Sequence, residues 1–432
     1  MNITILAVGS RGDVQPFVAV GLGLKAAGHH VKLATHSNFE QFVTSRGLTF
    51  AEIKGNPREW LDTEEGLQWL ESGPGLVRFY TGLKRFMEPV MESLLPTSTA
   101  ACRDSDIILY SIVTSSGPHI GERLRCPSFP LMLQPAYPTW QFPSVIANST
   151  ADQNRIVNRL THLITDQILH QATRSSVNRW RKQDLGLPSS SLLGPARLQR
   201  RRKVPHFLGY SPLVVPRPRD WDEHVHVTGY WFLDRENGWQ PPEPLTRFLE
   251  SGPPPVCVGF GSMTIRQAEQ TTHAIVNALD RCGMRGILMS GWGELGACPL
   301  PPTVLAIDSA PHDWLFPRMA AVVHHGGAGT TAAALRAGIP SVVIPFFADQ
   351  FYWGSRVTKL GVGPATLPFS EFNEIQLADR IQSAVTDPHI LERSRKLATG
   401  IASENGVDRL VETFQKAMKT GSANGQIQKR PH

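Results

Sequence analysis

Ile3-Thr4-Ile5-Leu6-Ala7-Val8 runs straight into Gly9-Ser10-Arg11-Gly12-Asp13, and Pro16-Phe17-Val18-Ala19-Val20-Gly21-Leu22-Gly23-Leu24-Lys25 then proceeds at helical spacing to Gly28. The apolar run has the length of a buried strand, the glycine-bearing turn interrupts it, and Gly28 is placed to cap the helix. Val31 to Ala34 follows at once as a second strand. Two strands joined by one short helix pair in parallel through a right-handed crossover, so the chain opens as an α/β domain.

The rest of the sequence can be read outward from that unit. At 432 residues and 47.6 kDa it exceeds one ordinary domain and suits two or three. Apolar residues at 41% and charged residues at 19% describe a soluble globular protein with sizeable cores. A net charge of +6 over this length is too mild for a dedicated nucleic-acid binder and leaves room only for a weak attraction to an anionic membrane. The five cysteines form no C-x-x-C pair, and their odd number points to a reducing, cytoplasmic setting. No apolar run approaches the roughly 18 residues of a membrane span, and the opening residues are expected to be fold rather than a targeting segment.

Residues 48–145 are rich in aromatics: Trp60, Trp69, Phe79, Tyr80, Phe86, Tyr137, Trp140 and Phe142, with one strand at Asp106-Ile107-Ile108-Leu109-Tyr110. The spacing of Ile156, Leu160, Leu163, Ile164, Ile168 and Leu169 predicts a helix over 154–182. Arg200-Arg201-Arg202-Lys203 reads as a solvated loop or as a contact with an anionic membrane. Prolines crowd residues 205–255, which suits a stiff connector better than a core element. Beyond it the rhythm of strand and helix returns, with strands at Val256–Phe260, Gly286–Met289, Ala320–Val323 and Ser341–Ile344. The expected architecture is two doubly wound, Rossmann-like domains facing across a cleft, over 1–215 and 216–400. A helix over 401–418 is expected to return to the first domain, followed by a flexible tail over 419–432.

His324-His325-Gly326-Gly327-Ala328-Gly329-Thr330-Thr331 follows a strand and opens a helix. Glycines let backbone N–H groups approach a ligand, and a helix start adds about half a positive charge, so this turn suits a diphosphate. Asp349-Gln350, one unit later, suits sugar hydroxyls or a helix N-cap. Ser262, after the strand Val256–Phe260, suits a phosphate or the cap of the next helix. Gly9-x-x-Gly12 lacks the third glycine of a dinucleotide fingerprint, and Thr35-His36 stands where an acidic residue would end the second strand, which disfavours a nicotinamide dehydrogenase.

Several segments in consistent order carry a resemblance: Gly9-Ser10-Arg11-Gly12-Asp13-Val14-Gln15-Pro16, Gly229-Tyr230-Trp231-Phe232-Leu233, Phe260-Gly261-Ser262-Met263, and Pro311-His312-Asp313-Trp314-Leu315-Phe316-Pro317 leading into His325-Gly326-Gly327 and Asp349-Gln350. Together they resemble nucleotide-sugar glycosyltransferases of the GT-B fold, within them sterol 3-β-glucosyltransferases and bacterial natural-product glycosyltransferases. The likeness implies that the second domain holds the donor and the first the acceptor. His325, Gly327, Gly329 and Thr330 would meet the donor diphosphate, with Ser10, Gly12 and Ser262 beside it. Asp349 and Gln350 would hold the donor sugar, Pro311 and His312 the nucleoside, and Trp292 would stack on the base or pack beneath its loop.

Plant members carry a glutamate for ribose where this chain has Ala333, which leaves the choice between UDP and dTDP open, with a UDP-sugar the first expectation. They also use a histidine base where this chain has Asp13, with no carboxylate near Tyr110-Ser111 to orient one. Asp13 is then the catalytic base, the N-cap of the helix near Pro16, or both. A free Asp, with a pKa of about 3.9, is a weak base for an alcohol, so its surroundings must raise that value or its work is to orient the hydroxyl. Inverting transfer of a hexose follows, with no metal and no cofactor beyond the nucleotide sugar. Tyr137, Trp140 and Phe142 are acceptor candidates for a lipophilic alcohol such as a sterol, with phenols, polyketides and macrocycles as alternatives. A nucleotide-sugar-binding protein without activity, or an epimerase or hydrolase, are the competing classes.

Overall fold

A computed structural model describes residues 1–56, 76–147, 154–236, 238–263 and 267–423. The first lobe is a seven-stranded sheet in the order β3-β2-β1-β4-β5-β6-β7. Its strands are β1 (Asn2–Leu6), β2 (His30–Thr35), β3 (Thr49–Glu52), β4 (Ile107–Ser111), β5 (Ser128–Met132), β6 (His206–Leu208) and β7 (Val225–Val227). The second lobe is a five-stranded sheet in the order β10-β9-β8-β11-β12. It is built from β8 (Val256–Gly259), β9 (Gly286–Met289), β10 (Val304–Ile307), β11 (Ala321–His324) and β12 (Ser341–Val343). Every pairing is parallel, with Ile3 opposite Val31 and Ile5 opposite Leu33 in the opening unit. Strands covered on both faces need near-continuous apolar runs, and all of β4 and β11 is buried.

Strand order reverses between β1 and β4 in one sheet and between β8 and β11 in the other. Ligands bind beyond the carboxyl ends of strands at such reversals. The turn Gly9–Asp13 leaves β1, Gly261-Ser262 leaves β8, and His325–Gly327 leaves β11, so the segments marked in the sequence stand at the two switch points.

The proline-rich connector contributes more than a link. Tyr210, Val214, Val215, Trp221 and Tyr230 are buried in one cluster with Ala332, Leu335, Trp353, Val357 and Ile401 of the second lobe, so the lobes share a core. The C-terminal helix has other bounds than expected. One helix closes at Ala402, and a separate helix, Gly406–Ala423, packs Leu410, Val411 and Phe414 into the core of the first lobe. Gly23 permits that contact, since a Cβ there would run into Val407. From residue 424 the expected tail lies outside the described residues, as do Trp60 and Trp69.

The helix predicted over 154–182 spans Arg155–Gln183, and the Asn154 side chain caps it by accepting from the Ile156 N–H at 2.9 Å. Its first turns face the opposite way from the expectation. Asn158 and His162 are buried, while Ile156, Leu160, Leu163 and Ile164 are exposed.

Candidate active site

The first helix spans Arg11–Ala26 and its N-cap is Ser10, which corrects the placement of Asp13 as cap. Asp13 sits three residues in, and its Oδ2 accepts from the Ser10 N–H at 2.8 Å and the Ser10 Oγ–H at 2.9 Å. This is the carboxylate half of a capping box. Gly9 makes room for it: its φ is +131°, and a Cβ there would sit 2.5 Å from Asp13 Oδ2. Both bonds engage one oxygen, and Asp13 Oδ1 has no protein hydrogen bond among the described residues. Burial pushes the Asp13 carboxyl above its ordinary value, against the pull of the two Ser10 bonds.

In the second lobe, β11 ends at His324, whose Nδ1 accepts from the Gly326 N–H at 3.1 Å and fixes the turn. Gly326 has φ +89°, and a Cβ on it would lie 2.8 Å from Val343 Cγ1. Gly327 caps the helix Ala328–Ala337. The His325 ring lies between two glycines, for a Cβ at Gly327 would strike its Nε2 and one at Gly261 would come within 3.0 Å of its Cε1. It is buried, and its Nδ1 has no partner among the described residues. Burial first and His312 second push His325 down to about 4, so the ring is neutral at pH 7 and serves as a hydrogen-bonding group rather than a fixed cation.

The two helix starts meet. A Cβ at Gly329 would be 3.8 Å from Gly12 Cα of the other lobe. Amino ends of two helices therefore border one narrow space, where their partial positive charges add. His312, led in by Pro311, stacks on Phe316 with ring centroids 4.3 Å apart. Burial and then the charge of Arg11 from the first lobe push His312 down to about 4. Thr330 is half-buried in the first turn of the helix Ala328–Ala337. Ser262 is half-buried after Gly261, and the following helix is capped at Gln267, so its capping alternative falls away. Trp292 lies in the short turn Gly291–Gly293, and the placement of its side chain lies outside the description.

Asp349 follows Ala348, which holds φ +53°, a left-handed conformation that a residue with a Cβ adopts at a cost. Asp349 stands at the N-cap position of the helix Gln350–Leu360 but makes no capping bond. Its Oδ2 accepts from Trp353 Nε1–H at 3.1 Å, and Gln134, just past β5 in the first lobe, also donates to it. Burial raises this carboxyl to about 6; the Trp353 and Gln134 bonds oppose the rise and the charge of Asp13 adds to it. Asp349 thus feels the charge of Asp13 across the cleft.

Gln350 is held by partners within the protein. Its Oε1 accepts from the N–H groups of Phe346 at 2.8 Å and Phe347 at 3.3 Å, and its Nε2 donates to Met263 Sδ at 3.3 Å. The buried amide braces the loop that carries Asp349. Tyr137 likewise belongs to the shared core: its hydroxyl pairs with His224 Nε2 at 3.0 Å and its ring packs edge-on to Trp221. Trp140 is partly exposed beneath the Arg159 guanidinium at 5.5 Å, and Phe142 touches Tyr352 of the second lobe. Gln134 and Trp353 were not legible as site residues, since only the folded chain brings them to Asp349. Ile112 and Val113, exposed just after β4 beside the end of β1, are further apolar surface that the strand run Ile107–Ser111 foreshadows.

Comparison with known proteins completes this picture. A solved glycosyltransferase described as that of kitacinnamycin superposes with a TM-score of 0.67 at 20% identity over 96% of this chain and 98% of its own. CalG4, the calicheamicin glycosyltransferase, gives 0.66 at 19% over 97% and 98%. The fold is that of the GT-B glycosyltransferases. Residues 3–142 match the glycosyltransferase family 28 N-terminal domain, and residues 293–415 match the C-terminal domain of erythromycin biosynthesis protein CIII-like proteins. Sterol 3-beta-glucosyltransferase UGT80A2 of Arabidopsis thaliana is 37% identical over 98% of this chain and 67% of its own length. The chain belongs to the sterol 3-beta-glucosyltransferase family. A sterol 3-beta-glucosyltransferase of Cryptococcus neoformans is 36% identical over 97% of this chain, which spans 27% of that longer protein.

Proposed function

We propose that this chain transfers glucose from UDP-glucose to the hydroxyl of a lipophilic alcohol, a sterol foremost, with inversion at the anomeric carbon. The observation that carries the reading is Asp13, held by one oxygen at a helix start that meets the second lobe at Gly329, with Asp349 within electrostatic reach. The names of the relatives support the sterol and the sugar.

In the proposed reaction Asp13 accepts the proton of the acceptor hydroxyl. The new bond forms between that oxygen and the anomeric carbon while the bond to the diphosphate breaks. The leaving oxygen gains its charge beside His325 and the N–H groups that open the helix Ala328–Ala337, donors already in place and needing no reorganisation. Backbone donors and dipoles serve here in place of a metal ion. Asp349 accepts from hydroxyls of the donor sugar.

The nucleotide has a second reading. Structures of the glycosyltransferases VinC and SsfS6 are described with dTDP and thymidine diphosphate, and Ala333 has no polar group for a ribose. A screen of UDP-glucose and dTDP-sugars against sterols, phenols and macrolides, read by mass spectrometry with the product's anomeric configuration assigned, tests all of this. Hexosylated sterol of inverted configuration from UDP-glucose is expected. Free sugar, an epimerised donor, or no glycoside with any pair overturns the reading.

Gly329 supplies an independent check on the donor site. Gly329→Leu puts a side chain into the gap facing Gly12. Nucleotide affinity in calorimetry is expected to fall by at least about a hundredfold, while melting stays within about 1 kcal/mol of the parent because glycine is itself unfavourable within a helix. Retained affinity would remove the nucleotide from between the helix starts.

A further inference from the structure

We propose that the outward face of the helix Arg155–Gln183, with the segment 192–203 beside it, is a docking surface for an anionic lipid bilayer.

Over its first turns, Arg155 to Ile164, the helix is amphipathic with its sense reversed, whereas its last turns bury Val177 and Trp180 in the ordinary way. Asn158 Nδ2 donates to the Trp140 carbonyl at 3.2 Å and His162 Nε2 pairs with the Phe142 carbonyl at 3.0 Å, so the polar residues are the buried ones. Ile156, Leu160, Leu163 and Ile164 recur at the spacing of a single stripe and are 61%, 48%, 37% and 49% exposed. A surface helix ordinarily turns that stripe to the core. Leu192 and Leu193 lengthen the patch, tied to the same helix by Gln171 donating to the Leu192 carbonyl at 2.7 Å and Gln167 to the Leu193 carbonyl at 3.1 Å. Contiguous exposed apolar surface of this kind marks an interaction site.

Charge selects the occupant. Residues 154–204 hold eleven Lys and Arg against two Asp, an excess larger than the +6 of the whole chain. Asp166 is already paired with Arg200 at 2.6 Å. Arg155, Arg197, Arg201 and Lys203 are exposed, with no carboxylate at ion-pair distance among the described residues. Leucines and isoleucines rimmed by basic residues are what an interfacial helix presents to acidic headgroups, each basic residue strengthening binding about fivefold. A second copy of the chain would bring two such basic surfaces together, which repulsion opposes. Among the described residues no helix is long and apolar enough to cross a membrane, so the contact lies in the interface.

The inference rests on the lipophilic acceptor proposed above, since such an acceptor resides in a bilayer. The inner side of this helix packs on the loop carrying Trp140 and Phe142, and Phe142 reaches Tyr352, next to Trp353 in the second lobe. The docking face therefore lies on the wall of the acceptor lobe that leads to the cleft.

Flotation of the full chain with vesicles of phosphatidylcholine plus phosphatidylglycerol, against phosphatidylcholine alone, tests the surface. Binding to the anionic vesicles is expected, weakening with added salt. The double variants Leu160→Glu/Ile164→Glu and Arg201→Glu/Lys203→Glu should each bind at least about tenfold more weakly. Because these side chains are exposed, melting and turnover of acceptor delivered in cyclodextrin should not change. Variants that bind as the parent does, a parent indifferent to anionic lipid, or a dimer in sedimentation velocity that Leu160→Glu dissolves would each overturn the proposal. Vesicle binding without sterol turnover would leave the surface standing and remove the acceptor reading; turnover in cyclodextrin without vesicle binding would do the reverse.

Discussion

Asp13→Asn is expected to lower turnover by at least about a hundredfold, the lower end of what a positioned general base contributes. The substitution separates chemistry from scaffolding. An amide oxygen can still accept from the Ser10 N–H and Oγ–H, the two bonds that fasten the carboxylate at 2.8 and 2.9 Å. Losing such a cap altogether costs about 1 kcal/mol, so melting should shift by less than that. Nucleotide affinity in calorimetry should hold, because the amide leaves the backbone N–H groups of both helix starts in place. What the amide cannot do is take a proton. The parent should therefore lose rate as pH falls through the raised Asp13 value, and the variant's residual rate should keep only the shallower fall that protonation of Asp349 imposes. A variant that turns over near the parent rate, or one whose acid limb is as deep as the parent's, removes Asp13 as the base.

Much of this site was readable in advance because it follows from local chain chemistry. The run Ile3–Val8 and the turn Gly9–Asp13 dictate a parallel unit, and His325–Thr330 dictate a glycine-lined helix start. The misreadings came from contacts distant in sequence. Pro16 suggested a later helix start, yet proline only withholds an N–H from the Gly12 carbonyl, and the helix begins at Arg11. Tyr137 has the composition of a pocket residue, but pairing with His224, 87 positions away, takes it into the core. Periodicity found the helix Arg155–Gln183 and could not say which face it buries, since only the loop 138–144 supplies carbonyls for Asn158 and His162.

Asp349→Asn is expected to make the protein more stable above neutral pH and a poorer catalyst. The folded-state value of about 6 lies above the ordinary 3.8, so folding favours the protonated carboxyl. That contribution is fully present below 3.8 and is lost as pH rises through about 6, which leaves a buried charge as a penalty at pH 8. At about 1.4 kcal/mol per unit the penalty is on the order of 2 to 3 kcal/mol. Asparagine keeps an acceptor for Trp353 Nε1–H and has no charge to bury. The variant should melt higher than the parent at pH 8, with the gap closing as pH falls below about 4. Its rate should move the other way. A hydrogen bond to a charged acceptor is worth about 1.5 to 3 kcal/mol, so exchanging it for a neutral one lowers kcat/KM for the donor by roughly tenfold to a hundredfold. Melting curves that run parallel at every pH would mean that Asp349 is not the strained group.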